Sequence, residues 1–413
     1  MSIAAAKGPA PVAAKAAPLS TGGLVAVVLA LGFAYSFNGM DRSVFPALLS
    51  PINEEFGLNP AQGGLLANVF TLNIALFGAV AGWFMGRLGR KWTLVAGLIA
   101  YSIFTFLVPL ARTYAELAFL RAMTGAGEAL HIAACFSMIG AYFGPRRGVF
   151  IGINNAFFGL GAFLGPLLGT QMFAAFGSWR VPFYAYGVAG IISAVSILVL
   201  APDRFSEKVD EEQVRPGEVA ACPEKLLNRN SILSVVGFFL IGYSFLAYAA
   251  LYTLFLKQAL GFSVTQAGAA YSMFGIGALT GVVGGWLGEK VGRYGLAAAS
   301  AIMAGCGYLI FNSVTSQGGQ MVLSLVFGAM LSGFLYPRFL AVAQRSVQPG
   351  HVNGVMSMMV PVFYIAGFIA GPTFGQMAPL IGWSAAGTIS VTLTAALSAV
   401  LTGFIDPRQM RGG

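Results

Sequence analysis

Gly82–Lys91 reads GWFMGRLGRK, a basic, glycine-rich stretch that stands between two long apolar runs. It recurs 203 positions later as Gly285–Tyr294, which reads GWLGEKVGRY and keeps the tryptophan, the outer glycines and two basic positions. A sequence that repeats at one long offset is typical of proteins built from two copies of one structural unit. The stretch therefore predicts that the chain folds as two related halves.

Two further matches at nearly the same offset support this prediction. Gly161–Gly169, with the pattern G-x₃-G-P-x₂-G, recurs 206 positions later as Gly367–Gly375. Gly57–Gln62 recurs 204 positions later as Gly261–Gln266. In Gly57–Gln62 and in Gly261–Gln266, a residue that favours helix capping stands at the start of the next apolar run. The two capping residues are Asn59, ahead of Pro60, and Ser263.

The amino-acid composition indicates a membrane protein. Of 413 residues, 57% are hydrophobic and only 9% are charged, and the mean hydropathy is +0.79. A soluble domain has about 25% charged residues, so this chain has too little polar surface to cover a globule. Because a membrane-spanning helix needs about 20 apolar residues, the sequence predicts an all-α membrane protein with twelve transmembrane helices in two pseudo-symmetric six-helix bundles. The runs are 22–50, 61–84, 92–111, 116–143, 148–175, 182–201, 232–258, 265–287, 295–314, 320–345, 353–378 and 383–405.

The distribution of basic residues predicts the orientation of these helices. Of 23 Lys and Arg, 17 fall in tails and in loops on one side, which the positive-inside rule assigns to the cytoplasm, together with both termini. The net charge of +9 therefore indicates orientation and contact with anionic membrane lipid, and no nucleic-acid partner is expected. Three basic residues fall on the other side: Arg112, Arg180 and Lys257. Three more lie within the runs: Arg42, Arg121 and Arg338.

The polar segments divide the chain. The stretch after the sixth run holds seven of the 14 acidic residues and is expected to be a cytoplasmic linker. We expect a disordered tail at 1–20, an N-terminal bundle at 21–201, the linker at 202–231, a C-terminal bundle at 232–406 and a tail at 407–413. The first segment does not resemble a cleavable signal, because the run after it is too long. The three cysteines form neither a disulfide framework nor a metal-binding pattern: Cys135, Cys222 and Cys306.

Charged residues inside the apolar runs are the candidate functional groups. A charge at the centre of a membrane helix costs about 2.5–3.5 kcal/mol, so it is seldom present without a use. The fourth run contains Arg121–His131, RAMTGAGEALH, and the first contains Phe37–Arg42, FNGMDR. The helical period places Arg121, Glu128 and His131 on one face. We expect glycines between them to let a neighbouring helix approach.

These motifs resemble those of the major facilitator superfamily, and the resemblance covers essentially 22–406. The repeated basic loop, the R-x₃-G-x-G-x-A pattern after Arg121 and the fifth-run glycine pattern each have a counterpart there, although Thr170 replaces a final glycine. The resemblance implies that the fourth-run arginine serves proton coupling and that the basic loops gate conformational change. The gating residues it implies are Gly82, Arg87, Gly89, Arg90, Glu289 and Arg293. Gly86 stands where the family usually has an acid, so we expect a weaker outward-facing lock.

Within that superfamily the residues resemble two branches and do not separate them. One is the anion:cation symporter branch, which imports sugar acids and related carboxylates with protons. The other is the Spinster-like branch, whose fourth helix also reads Gly-Glu-Ala, as Gly127–Ala129 does here. The first branch implies a proton-coupled symporter of a small organic anion. The second implies proton-coupled export of a lipid or amphiphile.

We assign proton coupling to Asp41, Glu128, Arg42 and Arg121. Burial favours the protonated form of a carboxyl group and a neighbouring arginine favours the ionised form, so a proton carrier needs both influences. The alternative is a static lattice of ion pairs that braces the first and fourth helices. Arg42 also has a planar fork suited to a carboxylate, so it is assigned to the substrate as well. The alternative is that Arg42 is a partner for Glu128 only.

The substrate-binding residues are predicted from arginines in both halves and from polar residues in the runs. Arg338 is expected to contact the anion; the alternatives are that it reaches the membrane surface or pairs with Glu128 or Asp41. His131 is a candidate for substrate contact or proton relay, and the alternative is a packing role. Interhelical hydrogen bonding is the alternative for the others. The full set is Arg42, Arg338, Asn38, Tyr35, His131, Asn154, Tyr248 and Tyr364.

The sequence excludes some classes of function. No nucleophile–base pair or nucleotide-binding motif stands out, so neither an enzyme, nor ATP, nor another cofactor or metal is expected. The first expectation is a monomeric importer of an organic anion in a bacterial inner membrane, driven by protons and working by alternating access. The second is the Spinster-like exporter. A third class, a sensor with a transporter fold, is disfavoured by the modest loops.

Overall fold

A computed structural model describes residues 20–143, 147–202, 223, 225–281 and 294–410, and all regular structure in these ranges is helical. Eleven of the described helices are long and apolar enough to cross a membrane. A further helix starts where the eighth run is predicted, and the rest of that run lies in 282–293, outside the described residues. The prediction of an all-α membrane protein is confirmed.

The helices of the first half follow the predicted runs closely. Their bounds are α1 Thr21–Ala47, α2 Leu49–Phe56, α3 Pro60–Leu88, α4 Arg90–Leu107, α5 Tyr114–Phe143, α6 Arg147–Phe176 and α7 Arg180–Leu200. A 3₁₀ turn at Val108–Leu110 ends α4.

The second half contains the corresponding helices. Their bounds are α8 Arg229–Gln258, α9 Val264–Ala278, α10 Gly295–Asn312, α11 Gln317–Gly328, α12 Tyr336–Arg345, α13 Val352–Ile381, α14 Trp383–Gly387 and α15 Thr394–Gly403. π-helical segments at Ala329–Leu335 and Thr388–Leu393 connect α11 to α12 and α14 to α15, and 3₁₀ turns occupy Pro349–His351 and Pro407–Gln409.

Much of the predicted linker and tails lies outside the described residues, namely 1–19, 203–222, 224 and 411–413. At the described edges, helix caps fix where the bundles start. The Ser20 hydroxyl accepts a hydrogen bond from the amide of Gly23, and Asn228 forms a capping box with Ser231. The first residue of α8 is therefore Arg229, three residues before the predicted start.

The repeated capping residues perform the predicted role. Asn59 and Gln62 form a capping box at the start of α3, and Ser263 and Gln266 form the same box at the start of α9. In each copy the preceding glycine has a positive φ, which a side chain would oppose. The same four-residue device thus turns the chain at the same place in both halves.

Several predicted runs are not single α-helices throughout; the twelfth, for example, contains the π segment Thr388–Leu393. The first ends at Ala47 instead of 50, and the chain then forms the separate helix α2. The tenth contains the π segment just before Pro337. Proline lacks an amide proton and its ring crowds the preceding turn, so a widened turn on its N-terminal side accommodates it. Hydropathy does not reveal the break after Ala47 or the π segment, because the sequence stays apolar across both.

Glycines of the repeated pattern let helices approach at backbone distance. A Cβ built at Gly161 would lie 1.9 Å from the carbonyl oxygen of Ser36, so α6 can pack on α1 only without a side chain there. In the second half a Cβ on Gly371 would lie 2.1 Å from the carbonyl oxygen of Gly64 in α3. The pattern therefore serves packing within the first half and contact between the halves.

The two halves also meet through α6 and α9. A Cβ on Gly275 would lie 2.2 Å from the amide nitrogen of Phe163. Closer to the start of α9, Gly268 faces the side chain of Thr170. Thr170 is the residue that departs from the expected glycine, and the glycine opposite provides the space for its methyl group.

Polar contacts join the halves at the end of the molecule where α2 lies, which we call the Glu54 end. Lys257 Nζ lies 2.6 Å from Glu54 Oε1, and this contact lowers the pKa of Glu54. The Thr253 hydroxyl donates to the carbonyl oxygen of Pro46. The Asn68 amide donates to two carbonyl oxygens of the second half, at 3.0 and 2.8 Å. The acceptors are Leu246 and Gly367.

The opposite end, where α3 turns into α4, we call the Arg90 end. On α3 the glycines towards this end have no described residue within 4 Å of a Cβ built on them, in contrast to Gly64. They are Gly78, Gly82 and Gly86. The named contacts between α3 and the second half thus lie on its Glu54 side.

The substitution Gly64→Ala should separate the halves at the Glu54 end, because its methyl group would lie 2.3 Å from the carbonyl oxygen of Gly371. Pulsed EPR between spin labels on the exposed residues Phe176 and Leu380 should report a longer mean distance. Gly78→Ala is the matched control, since it makes the same helix-favouring change in α3 where nothing lies within 4 Å. Equal distances in both variants would contradict this prediction.

Candidate functional site

Helices α1 and α5 bring the four predicted charges together as two ion pairs. Arg42 Nε lies 2.5 Å from Glu128 Oε2, and Arg121 Nη1 lies 3.1 Å from Asp41 Oδ2. Both carboxylates and Arg121 are at most 1% exposed, whereas Arg42 is 15% exposed. The pairing cancels the buried charges, and one of the four side chains retains access from outside the protein.

The Asp41–Arg121 pair is enclosed. The Thr105 hydroxyl donates to Asp41 Oδ1 at 2.6 Å, so both carboxylate oxygens have partners. The Arg121 guanidinium lies over the rings of Phe45 and Phe70, at 4.6 and 5.3 Å from their centroids. Arg121 Nε and Nη2 are buried without a hydrogen-bond partner among the described residues. Full burial, the second hydrogen bond on Asp41 and two aromatic faces therefore make this pair a fixed element of the first half.

The Arg42–Glu128 pair has spare hydrogen-bonding capacity. Arg42 Nη1 donates to the Tyr364 hydroxyl of α13 at 3.1 Å, which links the two halves. Arg42 Nη2 and Glu128 Oε1 are buried without a hydrogen-bond partner among the described residues. Aromatic rings surround the guanidinium at 5.5–5.7 Å: Phe70, Phe158 and Tyr364. Arg42 can therefore donate to an additional anionic ligand through Nη2 without losing its existing partners.

Glycines in α5 let the neighbouring helices pack closely beside these charged residues. A Cβ on Gly125 would lie 2.0 Å from the carbonyl oxygen of Phe70 in α3, and one on Gly127 would lie 2.5 Å from the amide nitrogen of Tyr101 in α4. Both α3 and α4 therefore contact α5 at backbone distance, at glycines that lie between Arg121 and Glu128. The predicted close approach of neighbouring helices at these glycines is confirmed.

Several other predicted polar residues are buried on α1, α5 and α6. His131 is buried between the rings of Tyr35 and Tyr101, with centroid distances of 6.0 and 5.8 Å. Neither ring nitrogen of His131 and neither amide atom of Asn38 has a hydrogen-bond partner in the described part of the chain. Asn154 Nδ2 donates weakly to Cys135 Sγ at 3.7 Å, which places Asn154 about two helical turns along α5 from Glu128.

Two further predicted substrate residues lie in the second half. Tyr248 is fully buried in the packing of the second half, where its hydroxyl bonds to Ser324 and its ring stacks on Tyr252 and Phe327. Arg338 is partly buried on α12, directly after the π segment. Their roles in substrate binding stay predictions.

The chain matches the Major Facilitator Superfamily across residues 31–372. It belongs to the major facilitator superfamily. It is therefore an integral membrane transporter of a small molecule and not an enzyme, and the predicted major facilitator fold is confirmed.

Known proteins resemble this family member along most of its length. It is 26% identical to a hexuronate transporter of Bacillus subtilis over 92% of this chain and 94% of that one. It is 26% identical to a probable sulfoacetate transporter of Cupriavidus necator, over 82% of this chain and 83% of that one. A crystal structure of a bacterial homologue of the human lysosomal transporter Spinster, in an inward-facing and unoccupied conformation, shares its fold. The TM-score is 0.70 with 18% identity, and the match covers 93% of this chain and 95% of that one.

The gating residues that the family pattern implies are only partly described, because Glu289 and Arg293 lie outside the described residues. In the first copy, Gly89 turns the chain with a φ of +81°, and the Arg87 guanidinium lies 4.8 Å from the Trp83 ring centroid. Arg90 follows as the first residue of α4. A Cβ built on Gly86 would meet nothing within 4 Å, so an acid there would have room.

Several residues that shape the site were not found by sequence reasoning. They are Phe70, Thr105, Phe158 and Tyr101, together with Asn68 and the Glu54–Lys257 pair between the halves. A threonine or phenylalanine in an apolar run carries no signal, because most of them only pack. The charged residues Glu54, Glu55 and Lys257, in contrast, did carry a sequence signal. Among the described residues, no three His, Cys, Asp or Glu side chains could hold a metal ion.

The two ion pairs should differ in their contribution to stability. Asp41→Ala leaves the fully buried Arg121 without its carboxylate, which should destabilise the folded state by about 3–5 kcal/mol. Glu128→Ala leaves Arg42, which still has Tyr364 and some exposure, so its loss should be smaller. Thermal unfolding in detergent measures both, with Glu55→Ala as a control at an exposed ion pair. A larger loss in Glu128→Ala would contradict this assignment.

Proposed function

We propose that this transporter carries a small organic anion together with protons, by alternating access. The observation that supports it best is the position of Arg42. Its side chain is the partly exposed member of an otherwise buried charge cluster, and its guanidinium bonds to Glu128 and to Tyr364 of the other half. One side chain thus contacts a carboxylate that can bind a proton and the opposite half, and it is the member of the cluster that is accessible from outside the protein.

The coupling follows from competition for Arg42. When Glu128 is ionised, it holds the guanidinium through Nε. When Glu128 takes up a proton, its charge disappears and Arg42 is left as an unneutralised buried cation. A carboxylate substrate restores neutrality by binding the fork of Arg42. Proton and anion therefore bind cooperatively, because each alone leaves a charge unpaired in the apolar interior.

The Asp41–Arg121 pair has a supporting role in this scheme. Thr105 and Phe45 contact this buried ion pair. The pair therefore keeps α1 and α5 fixed relative to each other while the Arg42–Glu128 pair changes. Asp41 remains a second candidate for proton binding, since it is the other carboxylate in the cluster. Exchange at Asp41 requires the enclosing contacts to loosen as the halves move.

The bond between Arg42 and Tyr364 supports a role for the substrate in closing the molecule. An anion bound at Arg42 lies beside Tyr364 and so beside α13 of the second half. Arg338 of α12 is the second cation assigned to the substrate. Attraction of one anion to both halves favours the state in which they close around it.

The direction of access follows from the predicted orientation. The positive-inside rule places the Arg90 end in the cytoplasm and the Glu54 end outside. Contacts at the Glu54 end then hold the outer side shut, as expected of an inward-facing state in a bacterial inner membrane. The loop of Gly82, Arg87, Gly89 and Arg90 lies at the end that opens, where the family's gating pattern requires it.

The names of two relatives support an anionic substrate, since one is a hexuronate transporter and the other a probable sulfoacetate transporter. The second candidate is Spinster-like export of an amphiphile. The rings around Arg42 favour it, because an aromatic enclosure also suits an apolar tail beside a charged head group.

Proton coupling should depend on Glu128. In proteoliposomes, Glu128→Gln should abolish accumulation of D-galacturonate driven by a proton gradient, because the amide cannot release a proton. Counterflow of the same compound needs no net proton movement and should persist. Glu55→Gln, which changes an exposed carboxylate at the Glu54 end, should accumulate like the unchanged chain. Full accumulation by Glu128→Gln would overturn the proposed coupling.

The charge of the substrate should decide binding. In thermal-shift measurements with hexuronates, sulfonates and their uncharged amides, the acids should stabilise the chain and the amides should not. Arg42→Lys keeps a positive charge but loses the planar fork, so it should weaken the shift. Stabilisation by neutral lysolipids with no response to hexuronates would instead support the amphiphile exporter.

A further inference from the structure

A line of buried polar side chains leads from Glu128 towards the Arg90 end. On α5, Glu128, His131 and Cys135 follow at spacings of three and four residues, which places them on one helix face. Asn154 of α6 contacts Cys135 through its amide nitrogen. The line therefore runs about two helical turns from the carboxylate of the charge cluster to the amide of Asn154.

This line ends at a crevice. Its lining comes from the ends of α1, α5 and α6 that lie at the Arg90 end: Val28, Leu31, Ile139, Phe143, Phe150 and Asn154. Asn154 supplies the polar group of this lining, and its Oδ1 is buried without a hydrogen-bond partner among the described residues. The crevice thus offers water a place to bind beside Asn154.

The polar atoms along the line have unused hydrogen-bonding capacity. Glu128 Oε1, both ring nitrogens of His131 and Asn154 Oδ1 are buried and have no partner in the described part of the chain. Leaving one such atom unpaired costs about 1–3 kcal/mol. Four unpaired atoms on three neighbouring side chains are therefore unexpected where the helices only pack. Groups that must exchange a proton in turn need this free capacity.

We propose that His131 and Asn154 form the proton path between Glu128 and the cytoplasm. This rests on the proposed proton coupling and names the route that it left open. Protonated Glu128 gives its proton to the unprotonated ring nitrogen of His131. The other ring nitrogen releases its own proton to a water held by Asn154, so the ring ends neutral and one proton leaves.

The surroundings of His131 favour transfer over storage of charge. The groups near it are Glu128 one turn earlier on its own helix, Arg42 and Tyr35 of α1, and Tyr101 of α4, and the Arg42 cation disfavours a charged ring. The Tyr101 hydroxyl donates to the carbonyl oxygen of Ala34 at 3.3 Å and is therefore engaged. The Glu54 side of Glu128 is occupied by the enclosed Asp41–Arg121 pair. The open direction is therefore along α5 towards Asn154.

The test measures how fast Glu128 binds a proton, without any substrate. Time-resolved infrared spectroscopy after a light-triggered pH jump follows the carboxylic acid band of the full chain in detergent, and Glu128→Gln assigns the band. His131→Phe and Asn154→Leu should each slow its appearance by about 10²-fold with the final amplitude unchanged. Asn154→Ser, which keeps a polar group at the crevice, should retain most of the rate.

Tyr252→Phe is the control, because it alters a fully buried hydrogen-bonded ring in the second half and should leave the rate unchanged. Asn154→Leu alone carries the test if His131→Phe fails to fold. Rates equal to that of the unchanged chain in the folded variants would overturn the path and leave the proposed coupling intact. A band that persists in Glu128→Gln would overturn both.

Discussion

The structure depends on the high free-energy cost of charge inside a membrane protein. Four ionised side chains on α1 and α5 are tolerated because they are paired, hydrogen-bonded and enclosed by aromatic rings. Glycines in α5 let α3 and α4 approach to backbone distance, and this exclusion of solvent strengthens each pair. Any change in charge at the cluster must therefore be compensated locally, by a proton, by a substrate or by movement of a helix.

The two pairs divide stability from exchange. Asp41 and Arg121 are enclosed by their partners and hold the first half together. The Arg42–Glu128 pair differs in the limited exposure of Arg42 and in the bond from Arg42 to Tyr364 in the second half. Contacts between the halves reach from the Glu54 end to this bond. The proposed substrate site thus lies beside the contacts that alternating access would have to break.

The repeat, the helix positions and the nature of the charged residues could be predicted from the sequence, because each has a periodic or compositional signal. The capping boxes at Asn59 and Ser263 are one example. The sequence left the pairing of Arg42 with Glu128 as one alternative. It could not decide which arginine meets which carboxylate, since that depends on the rotation of α1 against α5. The packing of Tyr248 among aromatic rings was equally hidden, because a tyrosine in an apolar run has the same signal in a cavity as in a core.

The most direct measurement of the central claim is the number of protons taken up when an anion binds. Isothermal titration of D-galacturonate in two buffers of different ionisation enthalpy gives this number, at a pH where Glu128 is ionised in the ligand-free chain. We predict uptake of one proton per anion by the unchanged chain and none by Glu128→Gln. Binding without proton uptake, or the same uptake in both proteins, would contradict the proposed coupling.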